Sequence, residues 1–222
     1  MHAAQRSARI TGVLFLVTFV TSIAALALFQ PVLDDLVGYI AGGGADSRIY
    51  LTVFLELLLI VANIGTAVVP FPTLRRHDES LSLGYVTARI MECGFIAVGI
   101  LAVLAIVTLR NDAGVDAAAL GGYAESLAAI KDWTFLLGPG FVVGIGNGLI
   151  LGTLLYRSGL VPRRMAMLGL IGGPLIILSG IGVLFDLYDP GSPVQGIATI
   201  PEFLWELSLG IYLTVNGFKS SA

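Results

Sequence analysis

Charge and sulfur are what this chain has least of. Only 12% of its 222 residues are Asp, Glu, Lys or Arg, well below the roughly 25% of an ordinary soluble domain, while 56% are hydrophobic. With a mean hydropathy of +0.92, it reads as a membrane protein. There is no basic run and the formal net charge is −3, so nothing offers a footprint for nucleic acid or a polybasic patch for anionic lipid. Cys93 is the single cysteine, which excludes an intrachain disulfide. The two histidines, His2 and His77, fall outside the apolar runs, so a histidine metal site or histidine acid/base pair within the bilayer has no support. No metal and no cofactor is expected. The ten-residue polar/apolar alternation of a membrane barrel is also missing.

What is present is length of apolar run. A hydrocarbon core of about 30 Å needs about 20 helical residues at roughly 1.5 Å each. Six stretches meet that requirement, near 9–29, 49–69, 84–109, 133–156, 164–186 and 201–218. The expected fold is all-α: one membrane domain over 1–222, a polytopic six-transmembrane-helix bundle with both termini cytoplasmic. Basic residues set that orientation. One side receives Arg6, Arg9, Arg75, Arg76, Arg157, Arg163, Arg164 and Lys219, the other Arg48, Arg110 and Lys131, as the positive-inside rule requires. The apolar run from Ile10 to Phe29 exceeds the roughly 7–15 residues of a signal h-region, so it is read as a span.

Local signals mark the connections. Gln30-Pro31 is expected to end the first span, with Val32, Leu36, Tyr39 and Ile40 on one face of a short surface helix. Pro70 and Pro72 stop the second span, and Pro201 is expected to open the sixth. The segment from Arg110 to Asp132 reads as a long outer loop with a turn or two of helix over Tyr123–Lys131. Trp133 and Trp205 are expected at the outer interface, as an aromatic belt.

Against this apolar background the polar residues stand out. Arg89 and Glu92 lie three apart in the third span and form a candidate structural ion pair, with Arg89 expected as an inner-boundary anchor like Arg9 and Arg164. Counting depth along the helices gives an inner cluster of Arg89, Glu92, Asn63 and Asn147 and an outer one of Glu56 and Glu206, joined by Asp186 or Asp132. The outer cluster has no neighbouring span cation, so an acid there must be protonated, meet water or bind a cation. The candidate pocket is Glu56, Glu206, Trp205, Asn63 and Asn147. Glu202 and Glu206 form a carboxylate pair, equally readable as an interfacial feature. In the fourth span Gly140, Gly144, Gly148 and Gly152 recur every four residues, the small-residue ridge that lets helices approach closely. Gly138-Pro139-Gly140 and Gly172-Gly173-Pro174 are expected to bend their helices.

Several runs carry a family resemblance. ARITGVLFL at the start, ARIMECGF in the third span, LILGTLLYRSGLVPRRMAMLGLIGG across the fourth and fifth, and PEFLWELSLGIYLTVNGF at the end resemble the bacterial domain of unknown function 4386 family. The resemblance covers nearly the whole chain, with LLYRSGLVPR its most specific part. It implies a six-helix integral protein of the bacterial plasma membrane and brings no assigned activity.

Three functions remain. The first is a pocket that opens outward within the membrane and binds or passes a small molecule, lipid or cation. The second is a non-catalytic interaction or sensor subunit packing through the glycine ridge. The third is an intramembrane enzyme using the carboxylates, disfavoured because nothing pairs a nucleophile with a base. The lipid bilayer is the expected partner, and the oligomeric state is not readable.

Overall fold

The structure is a computed structural model that describes residues 3–42, 44–111 and 117–219. Among these residues there are helices and turns and no strand. The elements in order are α1 (Ala3–Asp34), α2 (Leu36–Ile40), α3 (Asp46–Val68), α4 (Phe71–Leu74), α5 (Glu79–Arg110) and α6 (Ala117–Phe135). Two π-helical turns follow, π1 (Leu136–Val142) and π2 (Gly144–Leu151), then α7 (Gly152–Ser158), α8 (Arg163–Leu184) and α9 (Pro193–Asn216).

Among the described residues five helical stretches are long and apolar enough to cross a membrane: Ala3–Asp34, Asp46–Leu74, Glu79–Arg110, Leu120–Ser158 and Arg163–Leu184. The 24-residue α9 has a span's length and is less apolar than these five, since Glu202 and Glu206 lie along it on the face turned to the cavity.

The long helices are arranged as a ring. α1 packs on α3, α3 on α5, α5 on α6 and the π segments, π2 and α7 on α8, and α8 on α9, which closes the circle against α1. Glycine permits the tightest of these approaches, because backbones can meet only where no Cβ intervenes. A Cβ on Gly12 would lie 2.6 Å from Thr214 Oγ1 across the α1/α9 seam, and one on Gly144 would lie 2.5 Å from Ile176 Cγ2 on α8. Two apolar clusters fill the ends of the ring. One gathers Phe15, Tyr85, Leu154, Trp205 and Leu209; the other gathers Phe29, Ile49, Ile96, Val103 and Ile106.

Several expectations about boundaries need correction. Pro31 stands inside α1 and Pro201 inside α9, whose first turn is instead capped by Ser192 accepting from Gln195 N. A proline removes one backbone hydrogen bond, and both helices continue past that loss. The long outer loop is mostly helix, since α6 starts at Ala117; residues 112–116 lie outside the described ones. The expected surface helix is present as α2, with Leu36 and Tyr39 buried. Trp205 is no belt residue, being fully buried, whereas Trp133 is 46% exposed.

The glycine-rich stretch is π-helical rather than α-helical. Its backbone bonds run five residues back, as from Gly152 N to Asn147 O. Pro139 supplies no N–H to an α-type ladder, and the six glycines between 138 and 152 favour α-helix least of any residue but proline. Such wide turns are rare and concentrate at functional sites. The α/π/α rod brings Lys131, Thr134, Pro139 and Val143 to the middle of the ring.

Candidate functional site

Between the two apolar clusters the ring encloses a cavity of about 210 Å³. All six long helical stretches line it, α1 through Thr18–Phe29, α3 through Glu56–Asn63, α5 through Arg89–Ile96, the α6/π1/π2 rod through Lys131–Val143, α8 through Ile176 and α9 through Thr199–Glu206. Those are the C-terminal half of α1 and the middle stretches of α3, α5 and α9, so the cavity lies near the mid-height of the bundle. Leu26, Phe135 and Phe203 belong to its wall and are also exposed on the outside of the bundle. Phe203 stands edge-on to Phe19 with ring centroids 5.0 Å apart.

The floor is a closed polar network. Arg89 Nη1 donates to Glu92 Oε2 at 2.7 Å, Arg89 Nη2 to Asn63 Oδ1 at 2.5 Å, and Asn63 Nδ2 to Glu92 Oε1 at 2.9 Å. Arg89 Nε reaches Thr66 Oγ1 at 3.2 Å, and the guanidinium lies 5.9 Å from the Phe15 ring centroid. Helical spacing explains the meeting. Arg89 and Glu92 are neighbours on one turn of α5, and Asn63 and Thr66 are neighbours on the facing turn of α3. At 2% exposure Arg89 is not an interface anchor; it is the centre of a buried network. The guanidinium's fork matches the carboxylate and the amide at once.

A second ion pair spans the wall. Lys131 Nζ donates to Glu56 Oε1 at 2.5 Å, with the ammonium 5.9 Å from the Phe29 ring centroid. The expected outer cluster therefore does have a cation. The fourth apolar run begins only near Trp133, which puts Lys131 in the outer loop by sequence; in the structure the helix extends back to Ala117 and Lys131 is a buried residue of it. Glu56 Oε2 has no partner among the described residues.

On α9, Glu206 accepts from Asn147 Nδ2, and Trp205 Nε1 donates to the Asn147 carbonyl at 3.0 Å. Asn147 is thus joined to Glu206 rather than to the Arg89 network, and Trp205 supports the site from behind without lining it. The separation into inner and outer clusters does not survive. Glu56, Asn63, Arg89, Glu92 and Glu206 all line one cavity, whereas Asp132 and Asp186 are exposed and stand apart from it.

The residue missing from the candidate pocket is Glu202, one turn before Glu206. It is 2% exposed, lines the cavity, and neither carboxylate oxygen has a hydrogen-bond partner among the described residues. A Cβ on Gly172 would lie 2.7 Å from Glu202 Oε2, and one on Gly148 would lie 2.9 Å from it. The signal in the sequence was the four-residue step between Glu202 and Glu206, which puts both on one helical face.

The glycine ridge packs against a helix, as its four-residue spacing implies, and that helix belongs to the same chain. Gly144, Gly148 and Gly152 all approach α8, through Ile176, Gly173 and Leu170 respectively, while Gly140 meets only its own helix. Three of the four are therefore occupied within the chain.

Four hydroxyls line the cavity, and each is turned back to a carbonyl of its own helix: Thr18 to Phe15, Ser22 to Phe19, Thr134 to Lys131 and Thr199 to Gln195. Among the described residues no three His, Cys, Asp or Glu side chains are grouped to hold a metal ion. No curated protein and no solved structure matches the chain. Residues 10–217, nearly the whole length, match the family described as Domain of unknown function (DUF4386), and the chain belongs to that family.

Proposed function

We propose that this chain is a multi-pass protein of the bacterial plasma membrane, one domain of six spans with both termini cytoplasmic, whose central cavity binds or passes a small cation from the outer side. The observation that carries this reading is charge imbalance in one buried space. Among the described residues Glu56, Glu92, Glu202 and Glu206 face only Arg89 and Lys131 there, and Glu202 has no partner. An uncompensated carboxylate in a dry interior is costly, and a cationic guest relieves that cost. Phe19, Phe29, Phe135 and Phe203 on the same wall suit a cation, which ring faces attract, or an apolar body beside it.

The alternatives draw less support. A subunit docking through the glycine ridge would need a free ridge, and α8 already covers most of it. An enzyme would need an activated nucleophile, and the cavity's hydroxyls donate to helix carbonyls rather than to a base.

The test is ligand identification by mass spectrometry of protein purified in lipid nanodiscs. A small cationic species retained by the native protein and lost in Glu206→Ala is the expected result. Retention of only neutral or anionic species, or equal retention by the variant, refutes the reading.

A further inference from the structure

We infer that Glu202, with Glu206 one turn along α9, is the seat for the head group of a protonated primary or secondary amine carrying a short apolar body. This rests on the cavity being a cation site and names the chemical class of the cation.

Hydrogen bonding makes the first selection. Among the described residues both Glu202 oxygens and Glu56 Oε2 are buried acceptors without donors, as is Asn147 Oδ1 beside Glu206. A buried acceptor needs an N–H or O–H as well as a neutralising charge, and a quaternary ammonium supplies the charge alone. An ammonium with two or three N–H groups supplies both.

Space makes the second selection. The Glu202 carboxylate lies against the α-carbons of Gly148 and Gly172, where an added methyl would come within 2.9 Å and 2.7 Å of Oε2. Backbone closeness on that side leaves the carboxylate's approach to the cavity, and the head group it accepts must be compact. A cavity of about 210 Å³ is below the roughly 300 Å³ at which drug-sized sites begin.

The wall makes the third. Phe19, Leu26, Phe29, Phe135 and Phe203 surround the remaining space, so the guest's other end is apolar. A bare metal ion would leave that wall unused, and the carboxylates do not gather into a ligand set. The groups facing the seat are Arg89 and Glu92 from α5, Glu56 from α3 and Lys131 from α6. Both cations are already paired to carboxylates, so they do not satisfy Glu202.

The experiment is calorimetric titration of the full chain in nanodiscs at neutral pH, with empty nanodiscs subtracted to remove partitioning into lipid. The probes are hexylamine, hexyltrimethylammonium and hexanol. Hexylamine is expected to bind at least about tenfold more tightly than hexyltrimethylammonium, with hexanol showing no saturable heat. Glu202→Gln is expected to weaken hexylamine about tenfold or more, and Gly172→Ala to do the same with the carboxylate still present. Glu125→Gln, an exposed change on α6, leaves binding as it was. Equal affinity for the primary and quaternary amines, or full affinity in both Glu202→Gln and Gly172→Ala, overturns the seat while leaving a cation pocket standing. Absence of saturable binding by either cation overturns the pocket and the seat together.

Discussion

Replacing Arg89 by methionine tests whether the α3/α5 network holds the bundle or merely decorates it. Methionine keeps most of the side chain's length and removes three hydrogen bonds, those to Glu92 at 2.7 Å, Asn63 at 2.5 Å and Thr66 at 3.2 Å. It leaves the Glu92 carboxylate buried and uncompensated, with only the Asn63 amide to donate to it. Breaking a buried pair on one side costs about 3–5 kcal/mol. An exposed anchor in the same position would cost less than about 1 kcal/mol. The second half of the test is Arg89→Met combined with Glu92→Met. With both charges gone, the remaining orphan is Asn63, whose unsatisfied amide costs about 1–3 kcal/mol. The double variant should therefore be more stable than either single one, with a coupling energy of at least about 3 kcal/mol. Reversible unfolding in mixed micelles, followed by circular dichroism, measures all four corners of the cycle. A single-variant cost under about 1 kcal/mol, or a double cost equal to the sum of the two, would refute the claim that Arg89 is a buried keystone.

Other consequences are directly measurable. Gly148→Ala places a methyl against the Gly173 backbone, 2.8 Å from its nitrogen, and should destabilise by about 1–3 kcal/mol, whereas Gly140→Ala has ordinary 3.6 Å contact and should stay within about 0.5 kcal/mol. The same unfolding assay separates them, and equal effects would contradict the packing of π2 on α8. With Trp133 changed to Phe, the remaining fluorescence from buried Trp205 should resist quenching by brominated lipid; strong quenching would place Trp205 back at the lipid face. At the far end of the bundle, Tyr39 donates to Asp46 Oδ1 at 2.5 Å, and burial, then that bond, pushes its phenol from 10.0 to about 12. The folded state holds this proton more tightly, so the contribution to stability is complete below pH 10 and disappears as pH rises from 10 to about 12. A difference titration of native protein against Tyr39→Phe, read by tyrosinate absorbance, should show no step near pH 10; a step there removes the basis for the shift.

The chain's own order of residues determined that the fold is helical and where most of its rods run, because helical burial depends on a local property, the length and continuity of apolar runs. It also determined that Arg89, Glu92, Ile96, Gly99 and Val103 share a face, since that follows from 3.6 residues per turn, and all five are buried. Family membership was legible in LLYRSGLVPR and its flanks for the same reason: these are local strings.

What the sequence could not decide was which faces meet. Along straight α-helices that end at the first proline or charge, Asn147 lies at the depth of Arg89 and Glu56 has no cation beside it. Only the folded ring showed α6 running on from Ala117, so that Lys131 reaches Glu56, and π2 turning Asn147 toward Glu206. The same ring covers the glycine ridge with α8 and leaves Glu202 facing the cavity with no partner. A helix's residues are set by its own spacing; the partner of a buried charge is set by the helix that packs across from it, and that is a property of the tertiary structure alone.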